Sequence, residues 1–253
     1  MKLRMFATAA VVAAAAVAAP AFAQDAVGSA GLSIAHTEID TKLVDLDGQA
    51  YTLDGSVAVK ATENWTLSLG ASLGTADGDL GDDTAFGLNG AFTYNGGDWR
   101  VGPTVGFASI GDESIWTVGG VAQKYFDKVT LTGAINYGQA DELDADIWSV
   151  NGDVRYFVSD NFRLNAGAGF AKVDTDQGDA DLWTAGVGAE YQFASTPWSI
   201  FGGYDHVELK DFDVSADTFK IGARYSFGGD LKARDRAGAD LPTGVAAFGS
   251  VLR

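Results

Sequence analysis

The chain has 253 residues, 17 Lys and Arg against 34 Asp and Glu, a formal net charge of −17, and no cysteine. Phosphate backbones are held by clustered Lys and Arg, so this balance argues against a nucleic-acid partner. No disulfide framework is available, and 33 Gly against 4 Pro fit neither a collagen nor a Pro-rich disordered chain.

Lys2 and Arg4 precede an Ala/Val-rich run from Met5 to Ala19, and Ala21-Phe22-Ala23 supplies a small-x-small cleavage site. Residues 1–23 are therefore expected to be a signal peptide, cleaved before Gln24. Beyond them no run of about 18 apolar residues occurs, so any membrane crossing must use strands. Alternating segments then follow in sequence. Residues 27–37, 50–61 and 65–75 come first, the third placing Trp65, Leu67, Leu69, Ala71 and Leu73 opposite Thr66, Ser68, Gly70, Ser72 and Gly74. A period of two is the mark of a strand with unlike faces. Residues 84–94 and 99–109 flank Asn95-Gly96-Gly97-Asp98, whose Asn and Gly suit a hairpin turn. Pro103 is an irregularity there, because it donates no ladder hydrogen bond. Residues 115–126 have no decided facing, and 128–139, 146–157, 162–173, 182–193 and 198–208 alternate again.

Residues 218–228 close the series. Phe219, Ile221, Ala223, Tyr225 and Phe227 alternate with Lys220, Gly222, Arg224 and Ser226. That gives about twelve strands, with ten as the alternative count, each near the ~9–11 residues that a tilted strand needs to cross a bilayer. Tight turns at 62–64, 95–98, 126–128, 159–161 and 195–197 are flanked by Trp65, Tyr94, Trp99, Tyr125, Tyr156, Phe162, Phe193 and Trp198. With Tyr225 and Phe227 these predict one aromatic girdle. The other connections, at 40–49, 76–83, 110–114, 140–145, 174–181 and 210–217, are expected to be longer, polar loops.

The pattern Lys220-x-Gly222-x-x-Tyr225-x-Phe227 resembles the assembly signal on the last strand of bacterial outer-membrane β-barrels, although here a tail follows it. With the strands, turns and girdle of residues 24–228, the whole resembles a small bacterial porin. The resemblance implies an all-β, transmembrane antiparallel up-and-down β-barrel in the bacterial outer membrane. It implies contact with outer-membrane lipids and lipopolysaccharide, and recognition by the outer-membrane insertion machinery.

The inward face is rich in Gly, Ser, Thr and Asn, and its expected pore-lining charges are Lys60, Arg100, Lys128, Asp153, Arg155, Arg163, Glu190, Asp205, Lys220 and Arg224. Twelve strands at ~4.8 Å spacing and ~40° tilt leave a bore of roughly 12 Å between side chains. The expected function is passive diffusion of small hydrophilic solutes or ions. The alternative is a non-conducting structural or adhesion barrel with acidic extracellular loops. The basic groups near the turn end form either a selectivity constriction or one half of an ion-pair network.

The runs Asp77-x-Asp79-x-Gly81-Asp82 and Asp174-x-Asp176-x-Gly178-Asp179 miss the full calcium-loop spacing, and the plainer reading is a solvated acidic surface. No metal or cofactor is expected. Only His36 and His206 could act as general bases, and neither has a Ser two residues on along its strand face, as the twelve-stranded outer-membrane phospholipases do. Asp205 and His206, being adjacent, point to opposite faces, so an enzyme is not expected. Residues 229–253 form a tail, either flexible or folded into the periplasmic mouth.

Overall fold

The computed structural model describes residues 26–42, 45–79, 83–176, 178–210 and 214–241. The expected signal peptide and the last twelve residues of the tail lie outside this description. Twelve strands run in chain order: β1 Ala26–Asp40, β2 Asp45–Lys60, β3 Trp65–Gly78, β4 Asp83–Asn95, β5 Trp99–Ile110, β6 Glu113–Tyr125, β7 Val129–Ala140, β8 Ala145–Ser159, β9 Phe162–Thr175, β10 Gly178–Gln192, β11 Trp198–Leu209 and β12 Val214–Phe227. Each pairs antiparallel with its sequence neighbours, and β1 pairs with β12 from Gly28↔Phe227 to Asp40↔Ser215. The sheet is thus a closed barrel with no free edge, so its backbone groups are satisfied within it.

The faces are inverted relative to a water-soluble protein. On β12, Phe219 is 56% and Ile221 69% exposed, while Arg224 and Ser226 are buried. Leu32, Val105, Ile135, Trp148 and Val187 repeat the outward pattern, and Ser29, Thr66, Thr104, Thr132 and Thr184 the inward one. An apolar exterior around a polar interior is the arrangement that lipid demands of a barrel. Among the described residues no helix is long and apolar enough to cross a membrane.

Three local features add to or depart from the sequence expectation. The expected long loops have largely become strand: β2 spans 16 residues and β1, β8 and β10 15 each, beyond the ~9–11 that a bilayer needs. At the loop end, for instance, Asp179 pairs with Asp174 and Asp45 with Asp40, so the hairpin ladders carry on past the apolar band. β6, whose facing the pattern left undecided, turns Thr117, Val121, Gln123 and Tyr125 inward and Trp116 and Val118 outward. At Pro103 the β4–β5 register is the same on both sides, Ala91↔Thr104 and Tyr94↔Val101, with the two intervening pairs missing. The missing N–H therefore costs local ladder bonds and no register. Neighbouring Gly102 permits the close approach there, since a Cβ on it would lie 2.2 Å from the Phe92 carbonyl oxygen.

After β12 the chain turns back through Gly228 and Gly229, both at positive φ, into a short helix α1, Leu231–Ala237. Asp230 caps it by accepting from the Ala233 N–H at 2.8 Å. Gly238 ends it at φ +89°, donating to the Asp235 carbonyl at 3.0 Å, and a Cβ there would also strike the Arg100 guanidinium. Leu231, Arg234 and Asp235 are fully buried. Beyond α1, Leu241 packs against Ala91, Val121 and Ala134, inward residues of β4, β6 and β7. The tail thus runs from the rim of the barrel to a point level with the middle of these strands.

Candidate functional site

The densest chemistry lies inside the barrel at the end that carries the short turns. Six strands contribute: Arg100 comes from β5, Asp153 and Arg155 from β8, Arg163 from β9, Glu190 from β10, Arg224 from β12 and Asp54 from β2. Strand alternation aims all of them at the barrel axis. Glu190 stands at the centre. Its Oε2 accepts from Arg234 Nη2 at 2.7 Å, Arg163 Nη2 at 2.9 Å and Arg224 Nη1 at 3.4 Å, and its Oε1 from the Ser199 hydroxyl at 2.7 Å. Arg224 Nη2 reaches Asp54 at 3.1 Å, and its guanidinium lies 4.4 Å over the Phe201 ring.

The tail enters this network at several points. Arg163 Nη1 donates to Asp240 at 2.6 Å, and Arg234 Nε donates to the same carboxylate at 2.9 Å. Arg155 divides its two terminal nitrogens between Asp235 at 2.6 Å and Asp153 at 2.7 Å. Thr130 donates to the other oxygen of Asp235 at 2.6 Å. Arg100 Nη2 donates to the Arg236 carbonyl at 2.9 Å, Nη1 to Thr93 at 2.8 Å and Nε to the Tyr125 hydroxyl at 2.9 Å. Burial alone would raise the Asp240 carboxyl, but the Arg234 and Arg163 guanidiniums outweigh it and hold the group well below the usual carboxylate range.

The expected lining residues therefore separate into two groups. Arg100, Asp153, Arg155, Arg163, Glu190 and Arg224 are brought together. Asp205 is buried on the inner face of β11 and Lys220 is half-buried on that of β12, nearer the loop end. Lys60 is exposed at the last position of β2. Lys128 is not on the wall: β6 ends at Tyr125, and Lys128 falls in the exposed turn before β7. Of the assembly-signal residues, Tyr225 faces outward and is 43% exposed, Phe227 is outward at the rim, and Gly222 and Lys220 face inward. The tail side of the network, Arg234, Asp235 and Asp240, was not singled out by sequence reasoning, because an aperiodic segment carries no signal of what it packs against.

The expected girdle needs one correction. Tyr125 faces the lumen, is 5% exposed and donates to Gln123 at 2.8 Å, with Arg236 4.6 Å over its ring. Its odd position on β6 puts it opposite Lys124, which points out and pairs with Asp98 in the preceding turn, holding that carboxyl below its ordinary range. Trp65, Tyr94 and Trp99 form a chain of ring contacts on the outside, with Phe92 stacked on Trp65 at 4.7 Å. Tyr191 touches Phe162 and Phe193, and Trp198 meets Tyr225 at 5.2 Å.

A second belt surrounds the loop end. Trp116, Tyr137 and Trp148 touch in series at 5.8 and 4.8 Å, and Tyr204 lies 5.0 Å from Phe219. Polar groups cap these rings: Tyr137 donates to Asp146 at 2.6 Å, Trp183 donates to Glu208, and Asp217 takes both Tyr204 and His206 Nδ1, the latter at 2.7 Å. Belts at both ends fix the height of the barrel in a bilayer, because rings with one wet and one dry edge settle at its two surfaces. Among the described residues no group of three or more His, Cys, Asp or Glu is placed to hold a metal ion. In the second acidic run Lys172 engages Asp174 at 3.1 Å and Asp179 at 2.9 Å.

The family model for Gram-negative porins matches residues 82–234, more than half of the chain. The chain belongs to the Gram-negative porin family. This porin barrel is accordingly a bacterial outer-membrane protein. Solved structures resemble it in fold. The translocator domain of the autotransporter NalP from Neisseria meningitidis aligns with a TM-score of 0.54 at 15% identity, covering 87% of this chain and 98% of that one. The KdgM porin gives 0.51 at 13% identity over 78% and 99%, and the NanC porin 0.52 at 12% over 77% and 98%. No curated protein matches by sequence.

Proposed function

We propose that this porin is a passive diffusion channel for small hydrophilic solutes or ions, with the arginine–carboxylate cluster as its constriction. The observation that carries this reading is the inner wall itself. Buried Ser, Thr and Asn line it along its length, and fixed charges converge at one level from β2, β5, β8, β9, β10 and β12. A closed polar interior inside an apolar exterior is what a water-filled path requires. In this reading the cluster and the tail lie in the periplasmic mouth and the second aromatic belt beside lipopolysaccharide, because short turns lie on the periplasmic side of outer-membrane barrels. Lys220, Gly222, Tyr225 and Phe227 serve recognition by the insertion machinery.

Catalysis is no part of this reading. His36 and His206 lie on the lipid-facing side of β1 and β11, beside Glu38 and Asp217, away from the polar interior. One observation favours a second reading, a non-conducting structural barrel: the tail pairs with and occupies the cluster. Purified protein in planar bilayers under asymmetric salt decides between them. Discrete conductance steps with a measurable reversal potential are expected from the channel, and a silent bilayer would leave the structural barrel.

A further inference from the structure

Two of the wall arginines that meet the tail, Arg155 and Arg163, share one geometry. Arg155 and Arg163 each spend Nη2 on a wall carboxylate, Asp153 and Glu190, at 2.7 and 2.9 Å. Each presents Nη1 to a tail carboxylate, Asp235 and Asp240, at 2.6 Å. The two arginines sit on adjacent strands two positions apart, as Phe157↔Arg163 and Arg155↔Asn165 show. Diagonal neighbours of that kind are roughly 7–8 Å apart, so one ligand with two acid groups can reach both. Thr130 adds a hydroxyl donor to the Asp235 carboxylate. Without the tail, the wall cluster holds Arg100, Arg155, Arg163 and Arg224 against only Asp54, Asp153 and Glu190. The tail adds Arg234 and Arg236 together with Asp235 and Asp240, so it supplies partners for the wall arginines without changing the net charge.

We propose that Arg155, Arg163 and Thr130 form a binding site for small polycarboxylates, that Asp235 and Asp240 of the tail are its resident ligands, and that a polycarboxylate solute displaces the tail from it. The inference rests on the channel reading only for the solute's access. A guanidinium fork holds carboxylates in a fixed plane, so the site recognises acid groups by shape as well as charge. A mono-acid satisfies one arginine and leaves the other on the tail, whereas a di- or tri-acid engages both, the second contact being effectively intramolecular. The tail is itself tethered, at an effective concentration on the order of millimolar, so a free competitor acts in that range.

The chain has no cysteine, so one introduced thiol reports where the tail is. Ala239 is 7% exposed with the tail docked. In the full-length A239C porin, maleimide labelling is expected to be slow. Citrate at roughly 10 mM should accelerate it several-fold, given that effective concentration. Acetate at equal pH and ionic strength should not. In A239C/R155Q labelling should be fast from the start and indifferent to citrate. Should A239C fail to fold, L241C reads the same event from the buried Leu241. Equal rates in citrate and acetate would overturn the site, since only screening would then be at work. Conductance recorded on the same preparation keeps the two readings apart. A silent barrel with citrate-dependent labelling keeps the site and loses the channel, and a conducting barrel with citrate-indifferent labelling does the reverse.

Discussion

Glu190 shows how much a single carboxylate carries in this wall. It is 2% exposed and answers Arg163, Arg224 and Arg234 together. Removing one member of a buried, paired set leaves its partners charged and uncompensated, which costs roughly 3–5 kcal/mol. E190Q is expected to lower unfolding stability by that amount in a urea titration, and a loss under about 1 kcal/mol would show that water solvates the cluster. Asp240 sets the pH response of the tail. Its carboxyl is depressed when docked, so its contribution is complete above the free carboxylate range and fades as pH falls towards the docked value. Tail docking should therefore be unchanged from pH 8 to about 5 and weaken only in stronger acid, where A239C labelling accelerates relative to a free thiol at the same pH. An acceleration already at pH 6 would exclude Asp240 as the controlling group. At this scale the sequence was half legible. Alternation alone turned Arg100, Arg155, Arg163, Glu190 and Arg224 inward, but nothing local ties Arg234, Asp235 and Asp240 to strands 44 to 105 residues away.

At the scale of elements, the strands were legible because lipid on one side and polar groups on the other impose a strict period of two. Where that contrast weakens, so did the sequence signal. β6 carries inward Val121 and Tyr125 and two consecutive glycines, so its faces are chemically alike. The acidic segments continue the hairpin ladders in water, where alternation is not required, and their strand character was hidden. The outer belt leaves no mark in the sequence because its members meet only once the registers are set, as in Tyr137↔Trp148 and Tyr204↔Phe219. Gly102 and Pro103 give a paired test of the β4–β5 seam. G102V must push β4 away and is expected to cost about 1–3 kcal/mol or more, as overpacking does. P103A, on the lipid face with the register already kept, should change stability by no more than about 1 kcal/mol. Equal effects would mean that Gly102 has room the geometry denies it.

For the molecule as a whole, closure by β1 on β12 follows from an even number of strands and an internal last-strand signal, and both were visible in the chain. Whether the mouth is blocked was not, since it depends on a tail that folds back past that signal. Four wall arginines, two tail carboxylates and the Leu241 anchor make one device, in which the tail that pairs the wall charges also narrows the mouth. The most direct measurement is single-channel conductance in planar bilayers for the wild-type porin and for D235N/D240N. Discrete steps are expected for the wild type and larger, more anion-selective steps for the variant, in which Arg155 and Arg163 lose their tail carboxylates. Absence of steps in both proteins would contradict this expectation.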